Sequence, residues 1–168
     1  MRKKIYEMIE QSLKEIKNQE GKSIIKHIDL YNNQTSMPLE EQPFYLPAVF
    51  VDFNSITYSD VLSGKQTAEV SLSLRVVTDA RTKRFKDAMF SNVLLCNLIC
   101  SKLYGKTTTL VSALTRTSST TDNQSEEWIE NIEGYRCFIK DNSAIREFTF
   151  ADIQELDITT DLIEGSEC

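Results

Sequence analysis

The sequence contains one histidine, one tryptophan, three prolines and five glycines in 168 residues. With His27 as the sole imidazole, a Ser-His or Cys-His nucleophile pair has only that side chain to use as base. Scarce glycine weighs against phosphate-cradling loops. Gly105-Lys106-Thr107 matches the end of such a loop, but Cys100 stands where the motif needs its earlier glycine. The tripeptide also follows an expected helix instead of opening one, so it reads as a helix stop. No run approaches the roughly 18 consecutive apolar residues of a membrane span, and no membrane association is expected. The first ten residues have a basic start but lack the apolar stretch of about 7 to 15 residues that a secretion signal needs. A basic excess is missing too: the isoelectric point is near 4.9. A general nucleic-acid binder would carry a basic stripe to neutralise phosphates.

What is present is ordinary globular composition, 40% hydrophobic and 26% charged. The length suits one domain. Cys96, Cys100, Cys137 and Cys168 are scattered, which fits reduced thiols in a cytosol. Charge is unevenly placed. Residues 145–168 carry seven acids against Arg146 alone, so the whole chain's net charge of −6 resides there. We therefore divide the chain into a domain at 1–143 and an acidic segment at 144–168. That segment also holds Phe148, Phe150, Ile153, Leu156, Ile158, Leu162 and Ile163, too many apolar residues for a purely solvated tail.

Ile5, Met8, Ile9, Leu13 and Ile16 recur at helical spacing and predict an amphipathic helix over 3–18, ended by Gly21. A short strand is expected at 23–30, then a polar loop at 31–46. Pro47 leads a strand to Phe53, and a loop at 59–64 joins it to the clean alternation from Ala68 to Val76, forming an antiparallel hairpin. Thr82 is placed to cap a helix that runs to Leu103 and stops at Gly105. A hydroxyl-rich strand at 110–125 is expected to present a wet face. In the last strand, apolar residues change from even positions (Trp128, Ile132) to odd ones (Tyr135, Cys137, Ile139), which predicts a bulge near Gly134. The class is α+β: an antiparallel or mixed sheet of four to six strands with two helices packed on one face.

Residues able to carry chemistry fail to converge. Cys96 and Cys100 lie one helical turn apart, but a tetrahedral zinc site needs four ligands and His27 is remote in sequence. Buried cysteine behaves as a small hydrophobe. Cys137 as nucleophile with His27 as base is conceivable, but no glycine elbow supports it. The adjacent pairs Glu40-Glu41 and Glu126-Glu127 read as solvated acids. Trp128 reads equally as a core anchor or an interface residue. No catalytic, cofactor-binding or metal-binding residue is assigned, and a protein acting through its surfaces is expected, not an enzyme.

Four segments taken in order, Lys26–Gln34, Leu46–Val51, Leu72–Thr78 and Ile132–Cys137, resemble the tail-completion proteins of tailed phages, the tail-terminator and minor-tail group, as in Bacteroides-type prophages. The resemblance covers about residues 1–143. It implies a non-enzymatic subunit forming a ring, usually of six copies, at the head-proximal end of the tail tube. The ring would end tube polymerisation and join the tail to the head connector. Its partners would be copies of itself, the tube and the connector, with DNA passing through the centre without specific binding. Its location would be the host cytoplasm during assembly and then the virion tail. Another neck, head-closure or minor tail component, or an unrelated ligand-binding domain, stands as the alternative. The acidic segment has no counterpart in this pattern; facing a channel, it would repel DNA phosphates.

Overall fold

The computed structural model describes residues 2–36, 44–62, 65–81, 84–122 and 127–142. Along the chain run α1 (Arg2–Lys14), β1 (His27–Leu30), a 3-10 turn (Gln34–Ser36), β2 (Ala48–Leu62), β3 (Lys65–Asp79), α2 (Phe85–Leu103), β4 (Thr115–Asp122) and β5 (Trp128–Asp141). The strands form one five-stranded sheet in the order β1-β2-β3-β5-β4. β1 pairs parallel with β2, and every other pairing is antiparallel. The sheet is therefore mixed, and the fold is the expected α+β arrangement with both helices on one face.

Ile5, Ile9 and Leu13 stand one turn apart on α1 and are fully buried. Each such side chain contributes on the order of 1.5–3 kcal/mol relative to exposure. α1 ends at Lys14, short of the expected 18, because the chain turns around Asn18. The Asn18 Oδ1 accepts from the amides of Glu20 and Lys22 at 3.0 and 2.9 Å. Such local side-chain bonds compete with the helical ladder. Gly21, at φ +78°, completes this turn and does not itself end the helix. β1 is correspondingly shorter than expected and begins at His27.

β2 and β3 form the expected hairpin, but β2 runs on to Leu62 where a loop from 59 was expected. A register shift between Phe53 and Ser55 makes the difference. The irregularity at Asn54 resets the alternation, so Ile56 opposite Val70 rejoins the helical face and the strand continues. β3 holds the centre, with Ala68, Val70, Leu72, Leu74 and Val76 buried beneath the helices.

α2 buries Ala88, Asn92, Leu95, Cys96, Ile99 and Leu103. Its N-cap is Arg84, with no side-chain capping bond, and the expected cap Thr82 lies outside the described residues. Gly105 follows at φ +75°, a backbone state open to glycine, and stops the helix as expected.

Among the described residues, the opposite face of the sheet carries a hydrophobic cluster at one end. There Phe44, Ala48, Phe50 and Val77 form a second cluster, with Tyr31, Leu46 and Trp128 packed against it. Part of the 31–46 connection thus folds back onto the sheet, while residues 37–43 lie outside the described set.

Candidate functional site

The bulge expected in β5 is in β4. β5 pairs with β3 without interruption from Trp128 to Asp141, whereas β4 shifts register between Arg116 and Ser118, opposite Tyr135 and Gly134. The odd positions of β5 face the helices throughout: Ile129, Asn131, Glu133, Tyr135, Cys137 and Ile139 are all buried. Two of them are polar, and this hid the period in the sequence.

Those polar residues anchor a buried layer beneath α2. Glu133 has no exposed side-chain surface and forms an ion pair with Arg116 at 2.5 Å. It also accepts from Ser119 Oγ at 2.6 Å. Arg116 reaches on to Asn97 Oδ1 at 3.1 Å, so β4, β5 and α2 are tied together. Desolvation is the largest influence on the Arg116 pKa and lowers it, but the Glu133 charge together with Cys100 and Tyr135 raises it overall. One turn earlier on α2, Asn92 Nδ2 donates toward Val76 O, Thr78 Oγ1 and Ile129 O at 2.9–3.0 Å. Its Oδ1 accepts from Cys96 Sγ at 3.3 Å. Burial, with the Glu133 charge second, pushes the Cys96 thiol up to about 12. Burial alone takes Cys137 up to about 11. Thiols at those values are protonated and unreactive near neutral pH.

A second ionic group occupies the opposite face. Arg75, central on β3, sits 2.8 Å from Glu130 on β5 and 3.9 Å from Asp52 on β2. The Tyr31 ring lies over its guanidinium at 3.9 Å. Desolvation pulls the Arg75 pKa down, but the Glu130 hydrogen bond and charge, with Tyr31 and Asp52, raise it overall. This group therefore fastens the 31–46 connection to three strands. Both clusters are ion pairs that tie neighbouring strands of the sheet together, with Arg75 Nε and Glu133 Oε2 buried and without a hydrogen-bond partner.

The structure keeps His27 and Cys137 apart. His27 stacks with Phe44 and Phe50, each at 5.7 Å, on the face away from the helices. Cys137 lies in the core on the helical face. The sheet separates them, so this nucleophile-base pairing is not assembled. Cys96 and Cys100 share a face of α2, and among the described residues no group of three or more His, Cys, Asp or Glu is placed to hold a metal. A depression of about 320 Å³ lined by Lys4, Leu110, Val111, Ile139, Lys140, Asp141 and Asn142 contains no such pairing either. Trp128 is half-buried against the second cluster. Glu40, Glu41 and Glu126 lie outside the described residues. No helix among the described residues is long and apolar enough to cross a membrane.

What the described surface does offer is edges and one apolar stripe. β1 covers β2 only from Ala48 to Val51, so β2 from Asp52 onward has no strand partner on that side among the described residues. β4 has none on its outer side, and Thr115, Thr117, Ser118, Ser119 and Thr120 are exposed, the expected wet strand. On α2, Phe90, Val93, Leu94 and Leu98 face outward, Leu94 being 68% exposed.

This architecture has a counterpart among solved structures, a chain in the virion of a native gene transfer agent particle. The two share a fold. The TM-score is 0.53 at 11% identity, and the match spans 82% of this chain and 95% of that one. No protein family and no curated protein matches the chain in sequence.

Proposed function

We propose that this chain is a non-enzymatic structural component of a phage-like virion, and within it a ring-forming tail-completion subunit. The fold shared with a gene transfer agent virion chain across nearly that chain's whole length supports the broader reading. The ring reading is carried by one observation: among the described residues the sheet ends in two open edges of opposite strand sense. Direction alternates along β2, β3, β5 and β4, so β4 runs opposite to β2. A rotation about an axis along the strands brings β4 of one copy antiparallel to the open part of β2 in the next. Such a head-to-tail contact closes into a ring when the rotation divides the circle. Neither open stretch contains lysine or proline, the residues that commonly guard edges against pairing.

In this reading the ring, of six copies, sits at the head-proximal end of the tail tube, ends its growth and meets the head connector. DNA passes through the centre unheld, consistent with a chain that carries no basic excess to bind phosphates. Assembly takes place in the host cytoplasm before the protein joins the virion tail. The test is to add the purified chain to growing tubes of the same virion's tube subunit. Tubes should stop at a uniform end decorated by this protein, seen by electron microscopy. Tubes that elongate at an unchanged rate with bare ends would refute the terminator role.

A further inference from the structure

The outward face of α2 is an unusual surface for a helix that already buries its other side. Phe90, Leu94 and Leu98 are 55%, 68% and 37% exposed and fall one turn apart, with Val93 beside them. A contiguous apolar patch of this kind marks a contact surface. Its ends carry a basic excess: Arg84, paired with Asp87, and Lys86 precede it, Lys102 and Lys106, the latter 3.6 Å from Glu15, follow it, and Asp87 is the only acid from 84 to 106. Lys86 Nζ stands 5.9 Å from the Phe90 ring, so charge and apolar surface adjoin. The occupant of such a surface should be acidic and should carry regularly recurring apolar side chains.

We propose that this occupant is the chain's own acidic C-terminal segment, residues 144–168, packed along the outward face of α2. The segment has both properties, a net charge of −6 in residues 145–168 and large apolar residues recurring from Phe148 to Ile163. Backbone bridges tie Tyr104 to Leu114 and Val111 to Ile139, which brings the end of α2 next to the last part of β5. The described chain stops at Asn142, three residues beyond Ile139. A helix the length of α2 spans about 28 Å, while 25 extended residues reach roughly 80 Å, so the segment can cover the whole stripe. Tethering also gives it an effective concentration on the order of millimolar, which favours it over a free partner. The acids then lie against α2 and not in a channel. This proposal does not depend on ring formation.

The test uses the full chain with Leu94→p-benzoylphenylalanine, irradiated at low concentration and analysed by peptide mass spectrometry. Cross-links are expected predominantly within residues 144–168, in isotopically unmixed pairs when ¹⁴N and ¹⁵N chains are combined. A full-length variant with the seven acids changed to Asn or Gln should lose several-fold in cross-link yield. Isotopically mixed pairs would place a second copy on the stripe and overturn the proposal. Cross-links confined to other segments, or an unchanged yield in the neutralised chain, would overturn it too.

Discussion

Arg116 on the edge strand β4 forms an ion pair at 2.5 Å with Glu133 on β5, whose side chain has no exposed surface. A buried carboxylate is tolerated here because a guanidinium and a serine hydroxyl meet it from the strand beside it. Removing one partner from a buried pair typically costs about 3–5 kcal/mol, because the other is left uncompensated. Arg116 is 27% exposed at its side chain, which allows some solvent relief. Arg116→Ala should therefore cost about 3 kcal/mol, near the lower bound of that range. Arg116→Ala with Glu133→Gln should cost less than the sum of the single changes. Urea denaturation of the four-member cycle checks this, and additivity would show that the two side chains are not coupled.

Asn92 should prove comparably important. Its amide meets acceptors on β3 and β5 from a fully buried position on α2. Asn92→Ala leaves Val76 and Ile129 carbonyls short of a donor and opens a small cavity, at a cost of about 2–4 kcal/mol. Asn92→Leu keeps the volume but not the hydrogen bonds, and its stability should stay well below wild type. Thermal and urea unfolding of both variants separate packing from hydrogen bonding.

The β4 bulge sets the third expectation. A Cβ at Gly134 would collide with Ser118 Oγ and stand 3.0 Å from Thr117 Oγ1, both at the bulge. Gly134→Ala should destabilise by about 1–3 kcal/mol through overpacking. Adding Ser118→Gly should recover part of that loss by removing the colliding hydroxyl. Equal stability of the single and double variants would show that the collision is relieved elsewhere.

Alkaline pH supplies a fourth. The folded state raises the Cys137 thiol from 9.0 to about 11 and Cys96 from 9.0 to about 12, with burial the leading cause in each. The folded protein therefore holds these protons more tightly than the unfolded chain. The resulting stability is complete below pH 9 and declines as pH rises toward 11 and 12. Tyr135, also raised chiefly by burial, adds in the same direction. Unfolding free energy should fall above pH 9, and less steeply in Cys137→Val, which lacks one titrating group. Iodoacetamide at pH 8 should leave Cys96 and Cys137 unmodified until the chain is unfolded.

The hydrophobic pattern carried the class, both helices and the central hairpin, because Ala68 to Val76 and Ile5 to Leu13 obey single periods. It misplaced elements wherever polar side chains decide the backbone. Asn18 ends the α1 segment early through its own turn. Asn54 shifts the alternation of β2, so a strand read as loop. Asn131 and Glu133 occupy core positions of β5, and their polarity imitated a phase change. The missed signal was the unbroken odd series around them, Ile129, Tyr135, Cys137 and Ile139. Asn92 was hidden similarly inside the apolar stripe of α2. The Arg75 group was not legible because its members come from three strands and a distant connection. The open edges that carry the functional reading depend on strand order, a property of tertiary structure alone.

The central claim is that copies associate head to tail through β4 and the open part of β2. Electron microscopy with symmetry-resolved class averages, made across increasing protein concentration, tests it most directly. Closed rings with six-fold cyclic symmetry are expected, in which the sheets of neighbouring copies run on from one to the next. Two-fold dimers, rings joined through the helices with β4 left uncovered, or monomers at every concentration would contradict it.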